Sequence, residues 1–333
     1  MSEKRGGPDR VKVLVIMGWT RSGSTILDNL LGELDGFFSG GELHYIWQRG
    51  LLESRLCACG RALPECELWS AVLDDAFDGS RPDPATVVRN QRHSVRTRHT
   101  WKLLRQSGLP AGWKALDSYA PVLTALYHSI ARVTGERVIV DSSKRPSDGA
   151  ILHLLPGIEP YFVQLVRDPR AVAFSWKRRK RELDRPELHD EIEEMPRYTS
   201  LYSTFGWTEL NLAAESVRKQ AGPGRSLLVR YEDFMADPSE TLSRLAALLG
   251  ESPPRLPLVD GGRAVLSGNH CAAGNPSRFR TGEVELRADA EWARKISPHD
   301  RFICTTMGYP LLRRYGYLES DEGRPTHLSP LRG

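Results

Sequence analysis

Residues Val11–Met17 (VKVLVIM) form a near-continuous apolar run that stops at Gly18 and passes through Trp19, Thr20, Arg21, Ser22, Gly23, Ser24 and Thr25 into a helical pattern. That pattern spans 24–34, with Ile26, Leu27, Leu30, Leu31 and Leu34 on one face. A strand apolar on both sides belongs inside a parallel sheet, and a glycine-punctuated turn into a helix is the start of a crossover unit. Few folds accept this beginning.

The same sequence of strand, polar turn and helix recurs at 137–140 (RVIV), 161–166 (YFVQLV) and 226–229 (SLLV). Strands alternating with helices predict an α/β fold, a P-loop-like parallel sheet flanked by helices. The stretch 51–130 has little strand signal and is expected to be a mostly helical insertion. The Pro/Gly/Arg-rich stretch 252–282 reads as a long loop near the site. Residues 1–10 and 319–333 are Gly/Pro/charge-rich and read as loose tails, which leaves 11–318 as one domain.

Composition narrows the class further. The chain has 333 residues, and 46 Lys+Arg against 42 Asp+Glu give a net charge of only +4. Nucleic-acid binding therefore has no support from overall charge, and any basic function must come from local clustering. The run 11–18 is too short to cross a bilayer, and the polar start has no apolar signal-peptide core. The five cysteines, an odd number, do not suggest a disulfide framework, and a cytoplasmic location is the expectation.

The turn after the first strand has the glycine spacing of a phosphate-cradling loop, with Ser24 where that loop carries lysine. Backbone N–H groups, the helix N-terminus and the hydroxyls of Ser22, Ser24 and Thr25 suit an anion, and Arg21 adds a planar cation. Without the lysine, an ATP or GTP hydrolase or kinase becomes the weaker reading. A second anion site is expected at the end of 161–166. There Arg167 precedes Asp168 as N-cap and Pro169 in the first helical turn, and Ser175 follows eight residues after Arg167.

Together these pieces resemble the sulfotransferases that use 3′-phosphoadenosine 5′-phosphosulfate (PAPS), in their bacterial and carbohydrate-type branch. The resemblance implies that Arg21, Ser22, Gly23, Ser24 and Thr25 bind the 5′-phosphosulfate, and that Arg167 and Ser175 bind the 3′-phosphate. It continues in Tyr231-Glu232-Asp233-Phe234 with Asp237-Pro238, which looks like the family's Tyr-Glu-Asp strand end and the helix after it, and in the segment from Gly274 to Arg280 with Trp292, where Arg278 or Arg280 is expected to reach the 3′-phosphate. In order and spacing it covers 11–42, 137–176, 225–250 and 268–315. It implies PAPS as co-substrate, 3′,5′-ADP as product, no required metal, and a hydroxyl or amine acceptor on a carbohydrate-like or small natural product.

Sulfuryl transfer needs a base for the acceptor and a cation for the leaving oxygen. Glu42, expected at the end of a short second strand after Gly40-Gly41, is the candidate base, as in carbohydrate-type members. A counter-ion role for it is the plain alternative. His44, two residues on, competes for the base role. Members acting on phenols and steroids use a His in a Lys-Thr-His motif, but here that position reads Asp141-Ser142-Ser143-Lys144. Lys144 and Arg21 are the candidate electrophiles.

Cys57, Cys59 and Cys66 with Trp69 look like a small knuckle. Free thiols or a facultative disulfide are expected, because C-x-C is not the usual zinc spacing and a fourth ligand (His44 or another group) has to be found. The basic run 177–181 and the acids that follow read as a solvated helix end or an acceptor gate. Trp176, Trp207 and Tyr231 are core or pocket aromatics. A non-catalytic anion-binding protein is the remaining rival.

Overall fold

The computed structural model describes residues 10–178, 183–185, 196–259 and 262–318. Both expected tails, apart from Arg10, and most of the charge run after Arg178 lie outside the described residues. In chain order the elements begin with β1 (Val11–Met17), α1 (Ser24–Gly32) and β2 (Phe37–Ser39). The insertion follows with α2 (Glu67–Phe77), α3 (Pro84–Ser94), α4 (Thr100–Leu104) and α5 (Lys114–Thr134). The chain then returns through β3 (Val138–Lys144), α6 (Pro146–Leu152), β4 (Ile158–Val166), α7 (Pro169–Lys177), α8 (Ser200–Ala221), β5 (Ser226–Arg230), α9 (Tyr231–Ala236) and α10 (Pro238–Leu248). It ends with β6 (Leu258–Val259), β7 (Arg263–Leu266), β8 (Gly282–Glu285), α11 (Glu291–Lys295) and α12 (Pro298–Arg314).

Five strands make one parallel sheet in the order β2-β3-β1-β4-β5. The apolar run of β1 explains its central place, because both of its faces are covered. Val13, Val15 and Met17 share one core with Leu126 and Ile130 of α5 and Ile151 of α6. Leu14 and Ile16 share the other with Leu27, Leu30 and Leu31 of α1 and Leu242 and Leu245 of α10. The chain leaves β1 toward β2 on one side and later reaches β4 on the other. The carboxyl end of β1 is therefore a topological switch point, where open α/β sheets hold ligands.

The fold class and the helical insertion agree with the sequence reading, and three local expectations need correction. Stretch 252–282 is not all loop. Alternating burial of Ala264 and Leu266 against exposed Arg263 and Val265 makes β7, the centre of an antiparallel sheet β6-β7-β8 on the α1 face. The segment Tyr231-Glu232-Asp233 opens α9 and does not extend β5, since Glu232 and Asp233 suit a helix's first turn. Glu42 and His44 are not on a strand. β2 stops at Ser39, and Gly41, at φ 71°, turns the chain where a Cβ would sit 2.7 Å from Ala273 O.

Gly18 lies at φ 144°, and a Cβ there would overlap the backbone carbonyl of Leu165 on β4. Backbone cannot step aside, so Gly18→Ala is expected to lower unfolding free energy by about 2–4 kcal/mol. Urea denaturation with an unchanged midpoint would contradict this reading.

Candidate active site

The loop after β1 is tightly wound. Arg21 and Gly23 sit in the left-handed region at φ 69° and 91°, and Gly18 N donates to Lys144 O at 3.0 Å. The N-cap of α1 is Gly23, with no side-chain cap bond among the described residues, so the first N–H groups suit an anion that binds there. Ser22 and Ser24 are buried and Thr25 is half-buried. The Ser22 and Thr20 hydroxyls are buried with no hydrogen-bond partner among the described residues. Buried hydroxyls rarely stay that way, and this donor set fits an anionic group. The Arg21 guanidinium lies 4.7 Å over the Trp176 ring. Burial lowers its pKa, while the charge of Glu42 pulls the other way.

At the end of β4, Arg167 reaches the same loop: it donates to Arg21 O at 3.0 Å and stacks 4.4 Å over Tyr231. Its Nε is buried without a partner among the described residues, while Nη2 lies 3.7 Å from Asp289. The expected N-cap is present, with Asp168 accepting from Arg170 N at 2.8 Å and pairing with the Arg170 guanidinium at 2.7 Å. Asp168 is thus taken by Arg170. Trp207 Nε1 donates to Arg167 O at 3.0 Å, and Asp168 N donates to Glu232 at 3.1 Å, so two residues fix this corner from beneath. Burial raises the Glu232 carboxyl. Ser175 is buried on α7, next to the Trp176 under Arg21.

On the other side of β1, the ladder with β3 slips between Val15↔Asp141 and Met17↔Lys144. This bulge, with Lys144 at φ 70°, turns the lysine toward Glu42, and the two form a buried ion pair. Burial alone would push the Glu42 carboxyl up, but Lys144, Arg49 and Arg278 outweigh it and hold its pKa below the ordinary value. His44 is occupied differently: its Nδ1 lies 2.9 Å from Asp148, its N–H donates to Ser143 Oγ, and its carbonyl accepts from Gln91.

Beneath Lys144 runs a buried polar network that the sequence reading missed. Asp28 of α1 accepts from Ser39 at 2.7 Å and Ser142 at 2.5 Å, and Asp141 accepts from Tyr127 at 2.6 Å. Burial raises the Asp28 carboxyl to about 7. The only sequence hint was an acid among the leucines of an amphipathic helix.

Glu42, Lys144, the 21–25 loop and Arg167 with Ser175 thus follow β2, β3, β1 and β4, four neighbouring strands in sheet order. Arg278 lies elsewhere in this arrangement. It is 1 % exposed and donates to Gly274 O, Leu56 O and Asp184, close enough to Glu42 to affect its charge. Those bonds use its two Nη atoms, while its Nε is buried without a partner among the described residues. Arg280 is exposed. Of the basic run, Lys177 pairs with Asp300 at 2.6 Å and Arg178 with Asp289 at 3.1 Å, whereas 179–181 lie outside the described residues. Trp207 is core, donating to Arg167 O. A cleft of about 420 Å³ opens beside His44, lined also by Gln48, Arg92, Arg96, Arg98 and Arg145.

A sulfotransferase family model matches residues 14–254 of the chain. Among solved structures, the chain is similar to the sulfotransferase domain of the Synechococcus PCC 7002 olefin synthase, at 19% identity and TM-score 0.48, over 91% of this chain and 98% of that one. It is also similar to the sulfotransferase domain from the curacin biosynthetic pathway, at 15% identity and TM-score 0.45, over 90% and 98%. A third is a sulfotransferase from Alicyclobacillus acidocaldarius, at 14% identity and TM-score 0.41, over 92% and 94%. No curated protein matches the chain.

The raised Asp28 pKa makes a stability prediction. A carboxyl whose folded pKa exceeds its unfolded value stabilises fully below the unfolded value of about 4 and loses that contribution as pH rises through about 7. Asp28→Asn is expected to remove this component, giving a flatter stability curve between those pH values by urea denaturation. An unaltered slope would contradict it.

Proposed function

The chain belongs to the sulfotransferase family and is a PAPS-dependent sulfotransferase; from that premise we propose that it moves the sulfuryl group to a hydroxyl or amine of a carbohydrate-like or small natural-product acceptor, with Glu42 as general base. The observation that carries this reading is the row of groups along the carboxyl edge of one parallel sheet: a carboxylate, an ammonium, an uncapped helix start with unpartnered hydroxyls, and a buried guanidinium.

In the proposed reaction the 21–25 loop and the α1 N-terminus hold the 5′-phosphosulfate, and Arg167 and Ser175 hold the 3′-phosphate. Arg278 and Arg280 both stay candidates for a further 3′-phosphate contact, since Arg280 is exposed and Arg278 keeps a buried Nε without a partner among the described residues. The acceptor oxygen or nitrogen attacks sulfur in line as its proton passes to Glu42. The bond from sulfur to the bridging oxygen breaks, and Lys144 and Arg21 take up the charge on the leaving 3′,5′-ADP.

The Glu42–Lys144 pair gives this mechanism an order. While paired, Glu42 is ionised but a weak base, because the ammonium stabilises its charge. An incoming sulfonate competes for Lys144, and as the ammonium turns to it the carboxylate becomes more basic, at the moment the acceptor must be deprotonated. His44 is the competing base, since Asp148 holds its Nδ1 and leaves Nε2 for a proton, and a pH profile separates the two. The cleft beside His44 is the candidate acceptor entrance, since two of its lining residues, His44 and Arg145, lie within two positions of Glu42 and Lys144 in the chain. Its arginines favour an acceptor that carries an anionic group.

Two measurements check this. With [35S]PAPS and a panel of sugar and natural-product alcohols and amines, Glu42→Gln is expected to lower kcat by about 10²–10⁴-fold and still bind 3′,5′-ADP. An unchanged kcat would remove Glu42 from the base role. Because the free Glu42 pKa is held down, kcat/KM should keep its value as pH falls to about 4.3, the ordinary glutamate value, and decline only below it. Lys144→Met should move that acid limb upward. A limb near the ordinary histidine value of about 6.5 would point to His44 instead.

A further inference from the structure

We propose that Cys57, Cys59, Cys66 and His270 bind a structural zinc ion that ties the helical insertion to the loop backing Glu42. Their ligand atoms all lie within 4.8 Å of one another, although His270 is 204 residues from Cys66. The individual separations are more telling. Cys59 Sγ to Cys66 Sγ is 3.7 Å, Cys66 Sγ to His270 Nδ1 is 3.3 Å, and Cys57 Sγ to His270 Nδ1 is 3.8 Å. A tetrahedral ion with Zn–S of about 2.3 Å and Zn–N of about 2.0–2.1 Å sets its ligands about 3.8 Å apart for S···S and about 3.6 Å for S···N. These three separations lie within about 0.3 Å of the edges of such a tetrahedron, and all four donors lie within 4.8 Å of one another, as its corners require. A disulfide needs sulfurs about 2.05 Å apart, and all three thiols are free.

The backbone accounts for the unusual C-x-C spacing. Leu56 and Ala62 pair antiparallel, Cys57 N donates to Arg61 O, and Gly60, at φ 87°, makes the turn. Gly60 N donates to Cys57 O at 2.9 Å, so 57–60 is a tight turn that brings Cys59 back beside Cys57, with their sulfurs within 4.8 Å. Cys66 precedes α2, and Trp69 on that helix donates its Nε1 to His270 O at 2.8 Å. Ala58 N donates to Cys271 O at 3.1 Å. These bonds orient the histidine segment from outside the ligand shell.

Binding would release the three thiol protons and leave a neutral His270, giving a site of net charge −1. Such sites close short loops that cannot build a core of their own. Here the loop matters to the catalytic edge, because Glu42 N donates to Ala273 O at 3.0 Å and Ala272 N donates to Gly40 O at 3.0 Å. The expected role is to hold residues 270–273 against the turn that presents Glu42. It does not depend on which acceptor the enzyme uses.

The test uses the full chain purified under reducing conditions with zinc present, then gel-filtered and measured by atomic emission. About one zinc per chain is expected. Cobalt(II) in its place should give the d–d bands of a tetrahedral ion and a sulfur-to-cobalt charge-transfer band, and chelation should lower Tm. Cys59 is exposed, so Cys59→Ala should fold yet lose the metal on dialysis against a chelator. His270→Ala should shift the cobalt spectrum. Cys304→Ala, a buried thiol bonded to Thr204 away from the cluster, should keep both metal and spectrum. Metal-free protein with five free thiols after zinc exposure would overturn the proposal. So would the loss of two thiols to a disulfide, or a metal that survives Cys59→Ala and His270→Ala.

Discussion

The buried pair between Lys144 and Glu42 is the interaction on which the active-site edge turns. Each residue is less than one-tenth exposed, and either charge alone would be costly to bury. Removing one partner of such a pair typically costs about 3–5 kcal/mol, because the other is left uncompensated. The resting protein satisfies both charges at the expense of reactivity. In the proposed cycle the sulfonate becomes the competing partner, so substrate binding itself prepares the base.

That pair exists because the sheet is built to make it. β2 is short and is followed by two glycines that bring Glu42 back over the edge, while β3 slips by one residue against β1 and re-aims Lys144. Both irregularities lie next to the switch point of the strand order. Below them, Asp28, Ser39, Ser142, Asp141 and Tyr127 satisfy one another, so a rigid polar floor underlies the charged groups. On the other flank, Trp207 and Glu232 brace the Arg167 corner through its backbone.

Much of this is legible in residues close together in the chain. The apolar run of β1, the 18–25 turn and the Asp168-Pro169 helix start are local patterns, and each forms where its residues predict. What escaped depends on residues far apart. β7 hides in a Pro/Gly-rich stretch because its period-2 alternation is only four residues long. His270 carries no local sign of three cysteines some 200 positions earlier. The contacts of Arg278 with Asp184 and with the carbonyls of Leu56 and Gly274 are a further feature set by the fold. No neighbouring residue of Arg278 announces those partners.

The most direct measurement is calorimetric titration of the protein with 3′,5′-ADP and with 5′-AMP, which differ only in the 3′-phosphate, alongside ATP–Mg²⁺. If Arg167 and Ser175 hold that phosphate, 3′,5′-ADP should bind at least about tenfold more tightly than 5′-AMP, the yield of one charge-assisted hydrogen bond. Arg167→Ala should erase the preference while leaving 5′-AMP binding in place. Equal affinities for the two nucleotides, or a preference for ATP–Mg²⁺, would contradict a PAPS site along this sheet edge.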